Sequence, residues 1–145
     1  MERTLEALSG LDAAFLAMET PMSKLHVTAI FVLDPPVEVE TESSEADRAV
    51  RQFDAIRATI GERVARVPRL THRAVRMPFD LQRPVWVDEP DVDLDAHVRR
   101  ASVASPGGHE ELDALAGEVL SRPLPLDRPL WEMVVADGLT GGRTA

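Results

Sequence analysis

The chain has 145 residues, 44% of them hydrophobic, with 16 basic and 25 acidic side chains and a formal net charge of −9. That is enough apolar material for one ordinary core, and a surface so acidic argues against general nucleic-acid binding, which needs clustered positive charge. There is no Cys, hence no disulfide and no thiolate metal site, which suits a reducing cytoplasm; the first residues lack the basic start and apolar core of a signal peptide, and no run reaches the roughly 18 apolar residues of a spanning helix.

In chain order, Ser9 reads as a helix cap, with Asp12 three residues on as an acidic variant of the capping box. Leu11, Phe15, Leu16 and Met18 give this short helix an apolar side, and Pro21 ends it. Residues 24–33 read as a strand. Leu25, Val27, Ala29, Phe31 and Leu33 share one face, and His26, Thr28, Ile30 and Val32 the other. Both faces are largely apolar, so the strand is expected inside a sheet covered on both sides. Residues 36–47, rich in Glu and Asp, read as a mobile acidic loop. Val50, Phe53, Ile56, Ile60, Val64 and Val67 recur at helical spacing and predict a long amphipathic helix over about 48–67, stopped by Pro68.

Short strands are expected at 70–77 and 85–87, an acidic connection at 88–95, and a further strand at 97–103. Pro106, Gly107 and Gly108 mark a loop, after which Glu110 and Glu111 suit the positive end of a helix burying Leu112, Leu115, Val119 and Leu120. The last strand is expected around Trp131, Met133 and Val135, followed by a reversal at 138–142 and only Arg143, Thr144 and Ala145 of a returning strand. The elements mix without strict alternation, which predicts an α/β or α+β fold with a mixed sheet. The chain reads as a single lobe over 1–145, ending within a hairpin.

Three stretches together resemble the bacterial wax ester synthase/diacylglycerol acyltransferase family in its actinobacterial form. They are Leu8-Ser9-Gly10-Leu11-Asp12-Ala13-Ala14-Phe15-Leu16 with Pro21-Met22 and His26-Val27; Arg83-Pro84-Val85-Trp86-Val87-Asp88-Glu89-Pro90-Asp91-Val92-Asp93-Leu94 with His97-Val98; and Arg122-Pro123-Leu124 with Asp127-Arg128-Pro129-Leu130-Trp131-Glu132. The resemblance implies a chloramphenicol acetyltransferase-like fold, two related lobes with a tunnel between them, of which this chain would be most of the first. It also implies that the catalytic His-His-x-x-x-Asp-Gly motif follows shortly after the Pro129-Leu130-Trp131 strand, in polypeptide beyond Ala145. No His-His pair occurs in the 145 residues.

On that resemblance the chain holds no catalytic residue of its own. His26 and Thr28, on the early strand, would line the tunnel, although a hydrogen-bonded histidine within the sheet is the plainer reading of His26. Pro129, Leu130 and Trp131 would seat the strand leading to the missing histidines. The alternate carboxylates Asp91, Asp93 and Asp95 fail as a calcium loop, because Ala96 stands where Gly is needed and Ser102 where a bidentate Glu is needed. No His spacing suggests zinc, so no metal is expected. Arg63, Arg66, Arg69, Arg73 and Arg76 form the one basic cluster, which suits a helix end and solvated strand face better than a coenzyme A or membrane site.

The implied function is part of a long-chain acyl-CoA O-acyltransferase making triacylglycerol or wax ester. It would have acyl-CoA as substrate, no bound cofactor and no nucleic-acid partner. The C-terminal remainder of the enzyme, as a second chain, would be its partner, and its place the cytoplasm, with peripheral contact to membrane or lipid inclusions. The alternatives are a non-catalytic binding or regulatory fragment, and an acyltransferase for polyketide or carrier-bound substrates.

Overall fold

A computed structural model of the protein describes residues 5–35 and 44–145, and these fall into two units. The first comprises the described residues up to Val27, with Arg63–Asp93 and Arg122–Trp131. Its frame is a three-stranded antiparallel sheet of β1 (Leu5–Ala7), β2 (His72–Val75) and β3 (Val85–Asp88), in the order β1-β3-β2. Glu6 and Ala74 flank Trp86, and Leu5 and Arg73 flank Val87. Leu8, just beyond β1, is buried along with Ala74 and Val87, and its N–H reaches Pro84 O at 2.9 Å. Helix α1 (Gly10–Met18) starts where the cap predicts: Ser9 Oγ accepts from Asp12 N at 3.1 Å and donates to the Asp12 carboxylate at 2.8 Å. Two single 3₁₀ turns, Val64–Arg66 and Pro68–Leu70, lead into β2, the second opening on Pro68.

The second unit comprises the described residues of Thr28–Glu62, with Leu94–Ser121 and Glu132–Ala145. Helix α2 (Glu45–Arg63) is capped by Ser44, whose Oγ accepts from Asp47 N at 3.1 Å. A short helical turn, α3 (Leu94–His97), runs straight into β4 (Val98–Ser102). Strand β4 pairs in parallel with β5 (Met133–Asp137), from Val98 opposite Met133 to Ser102 opposite Asp137. Helix α4 (His109–Leu120) lies over one face of this pair, where Leu112 joins Val103, Ala136 and Leu139 in a buried cluster with Leu115, Ala101 and Ala145 against it. Gly108 has no side chain to cap α4, so only half of a capping box exists: Glu111 Oε2 accepts from Gly108 N at 2.8 Å.

After β5 the chain reverses through Gly138, Gly141 and Gly142, all at positive φ, where glycine carries no Cβ penalty. The last two residues then pair to opposite sides. Thr144 exchanges both backbone hydrogen bonds with Leu33 (2.7 and 3.0 Å), and Ala145 exchanges both with Ala136 (2.7 and 2.9 Å).

Several expectations change. Residues 24–32 form no strand, and the segment's one bridge is Leu33 with Thr144. Val27 is 95% exposed and Phe31 71%, in place of the doubly covered interior strand expected. The alternation is there, but a strand also needs a neighbour for its N–H and C=O groups, and among the described residues that neighbour is Thr144. Of the acidic loop expected at 36–47, residues 36–43 lie outside the described residues, and Glu45–Asp47 belong to α2, where acids suit the first turn. Helix α2 ends at Arg63, before Val67, and the final strand begins at Met133, after Trp131. The Leu11, Phe15 and Met18 side of α1 is exposed.

Candidate functional site

The sequence singles out His26 and Thr28, and the structure assigns them to different units. His26 is mostly buried. Its Nδ1 lies 4.0 Å from Glu19 Oε1, just past the end of α1, and both atoms are buried without a hydrogen-bond partner among the described residues. At that distance the pair does not hydrogen-bond directly. Thr28 is exposed.

Pro129, Leu130 and Trp131 end the last stretch of the first unit, immediately before Glu132 opens the second. Pro129 is buried, and Trp131 N–H closes a tight turn onto Pro129 O at 2.9 Å. The indole Nε1 of Trp131 donates to Leu70 O at 2.9 Å, across 61 residues of sequence. A half-buried tryptophan with its polar edge satisfied is an anchor. The contact ties Trp131, at the end of the first unit, to the turn that leads into β2.

The basic cluster is largely committed to packing. Arg69 bonds Glu6 at 3.0 Å and stacks 4.9 Å over the Trp86 ring, Arg73 bonds Glu89 at 3.1 Å, and Arg76 donates to Leu16 O at 3.2 Å. His72 Nε2 stands 4.0 Å from Asp88 Oδ1, His97 is buried at the end of α3, and His109 is exposed at the start of α4. Asp95 is taken by Arg57 of α2. Among the described residues, no group of three or more His, Asp or Glu side chains could hold a metal ion.

The second unit contains a feature that sequence reading missed, an open cleft of about 1270 Å³. Ala49, Ile56 and Ile60 of α2 line one wall; Arg100, Asp137, Leu33 and Thr144 are on the other. No sequence signal announced it: of the apolar stripe predicted for α2, Ile56 and Ile60 line the cleft.

The sequence model of the wax ester synthase/diacylglycerol acyltransferase catalytic domain matches residues 8–145. A Mycobacterium tuberculosis protein named as a probable diacylglycerol O-acyltransferase is 34% identical over 138 residues, which is 95% of this chain and 47% of that protein. A second protein of that organism, named in similarly qualified terms, is 36% identical over 141 residues, 97% of this chain and 28% of its own length. The solved wax ester synthase/diacylglycerol acyltransferase from Marinobacter aquaeolei VT8 superposes with a TM-score of 0.70 at 22% identity, covering 96% of this chain and 31% of that one, which shows the shared fold. The chain thus spans less than half the length of these relatives. The expected mixed α/β acyltransferase fold stands, and by the match over residues 8–145 the chain belongs to the wax ester synthase/diacylglycerol acyltransferase family.

Proposed function

We propose that this chain is the N-terminal part of a long-chain acyl-CoA O-acyltransferase that forms triacylglycerol from diacylglycerol or wax ester from a fatty alcohol. The observation that carries the reading is the continuous family match from Leu8 to Ala145. In the reaction a histidine takes the proton of the acceptor hydroxyl, and the oxygen attacks the thioester carbonyl. The new C–O bond forms, the C–S bond breaks, and coenzyme A leaves as the thiolate and is protonated. On the family resemblance, that histidine would belong to a His-His-x-x-x-Asp-Gly motif supplied by the rest of the protein; this sequence has no His-His pair.

This chain would contribute a wall of the substrate tunnel around His26 and Thr28, and the scaffold anchored by Trp131. Its partners are then the C-terminal remainder, acyl-CoA and the lipid acceptor, without a bound cofactor. The setting is cytoplasmic, with peripheral lipid contact. No helix among the described residues is long and apolar enough to cross a membrane.

The test is acyl transfer from a long-chain acyl-CoA to diacylglycerol and to hexadecanol. The chain joined to its following polypeptide should release coenzyme A with either acceptor, and the 145-residue chain alone should release none. Turnover by this chain alone sinks the reading. Ligand binding without turnover in the longer protein favours a binding module, and transfer to carrier-bound acceptors alone favours the polyketide class.

A further inference from the structure

The loop between β2 and β3, residues 76–84, is tied down at both ends. Val75 pairs with Val85 at its base, Arg76 Nη2 donates to Leu16 O of α1 at 3.2 Å, and Pro84 O accepts from Leu8 N at 2.9 Å. Its middle does the opposite. Phe79, within the 3₁₀ turn Pro78–Asp80, is 92% exposed, and Leu81 is 80% exposed. Phe79 also holds φ +59°, and among the described residues it is the one non-glycine at positive φ. A bulky side chain is strained there, because its Cβ crowds the backbone. With the ring in solvent, no contact inside the chain offsets that strain. Such an outlier points to something the ring meets outside the chain.

Charge is divided unevenly between the two units. The segments of the first hold ten basic and ten acidic residues, and those of the second six basic and 15 acidic, so the whole net charge of −9 belongs to the second. At the loop, Arg76 and Arg83 are exposed on either side of Phe79 and Leu81, against one acid in the sequence between them, Asp80.

We propose that Phe79 and Leu81 form a wedge that enters the headgroup region of a phospholipid bilayer, with Arg76 and Arg83 meeting anionic headgroups at its edge. This deepens the peripheral lipid contact proposed above and rests on that reading. Apolar side chains leave water at the boundary between headgroups and acyl chains, while arginines keep their charged ends among the headgroups. The attraction is local, since salt screens charges beyond about 8 Å under physiological conditions. A bilayer fits this tip better than a protein partner does, because a stable protein interface buries about 1,600 Å² in total and the tip offers two apolar side chains.

The test is sedimentation of this chain with vesicles of phosphatidylcholine and phosphatidylglycerol in equal parts. The chain should bind them, and Phe79→Asn combined with Leu81→Ser should weaken binding about tenfold or more. Asn tolerates left-handed backbone, so this variant should melt at no lower temperature than the original chain. Arg83→Gln should weaken binding to these vesicles about fivefold and leave binding to phosphatidylcholine alone unchanged. Phe31→Ser removes another exposed ring, from the second unit, and should change binding by less than about twofold. The chain has no Cys, so a single Gln82→Cys can carry an environment-sensitive fluorophore beside the wedge. Its emission should shift to the blue on vesicles and be quenched by spin-labelled lipid. No binding by the original chain, equal losses in the tip variant and Phe31→Ser, a loss that tracks a lowered melting temperature, equal effects of Arg83→Gln on both kinds of vesicle, or an unquenched label each overturn the proposal. So does an effect of the tip variant on self-association in place of vesicle binding. None of these readouts involves acyl transfer, so failure here is distinct from failure of the functional reading.

Discussion

Residues 28–33 and β5 are two apolar stretches of similar composition with opposite fates. Val135 and Ala136 of β5 are buried, with β4 on one side and α4 over one face, whereas every residue from Thr28 to Leu33 is exposed. Side-chain character is nearly the same in the two. What differs is whether a neighbouring backbone accepts and donates the ladder bonds. Alternation shows that a segment suits a sheet, and the neighbour decides whether it enters one.

The paired side of this contrast breaks most readily at Gly107. It sits at φ +78°, and a Cβ there would lie 2.1 Å from Gly138 O. Gly107→Ala should cost about 3 kcal/mol through backbone strain and overpacking, seen as faster hydrogen exchange at Val103 and Thr140, whose N–H groups bond Asp137 O and Gly107 O. Next comes Val135→Ala, a truncation at a residue 5% exposed. It should cost about 2 kcal/mol, read by denaturant titration of the second unit's protected amides. Trp131→Phe keeps an aromatic side chain but loses part of the indole's packing and the bond to Leu70 O, so about 1–2 kcal/mol should disappear from the thermal unfolding of the first unit, followed through the remaining Trp86. The smallest effect belongs to the unpaired side. Phe31→Ser in this chain should change stability by no more than about 0.5 kcal/mol, and a loss several times larger in the same assay would mean that residues 28–33 are already packed.

Much of the fold was legible in the sequence. The Ser9 cap, the α2 stripe, the strands at β2, β3 and β4, the α4 helix and the glycine reversal all rest on local signals, namely a side chain reaching its own helix, a period, or a turn residue. The parts that escaped are set by distant partners. β1 is three residues long, too short to show a period, and is a strand because β3 lies beside it. The short helix α3 is a single turn of four residues, too short to show an apolar stripe. The candidate site was less legible. His26 was picked by resemblance, and nothing in the spacing announces Glu19 beside its Nδ1. The cleft under α2 could not be read, because a stripe of Ala and Ile looks the same whether the space opposite it is full or empty.

The carboxylate of Asp137 accepts from Arg100 Nε at 2.7 Å and from Ser102 Oγ at 2.6 Å, at the last rung of β4 and β5. These two strands have no hairpin between them, so no loop length dictates their alignment. A slip of one residue would bring Ala136 opposite Ser102 and turn the carboxylate toward the greasy side of the sheet. Asp137 therefore works as an indexing pin, fixing which of two otherwise interchangeable apolar phases the ribbon adopts.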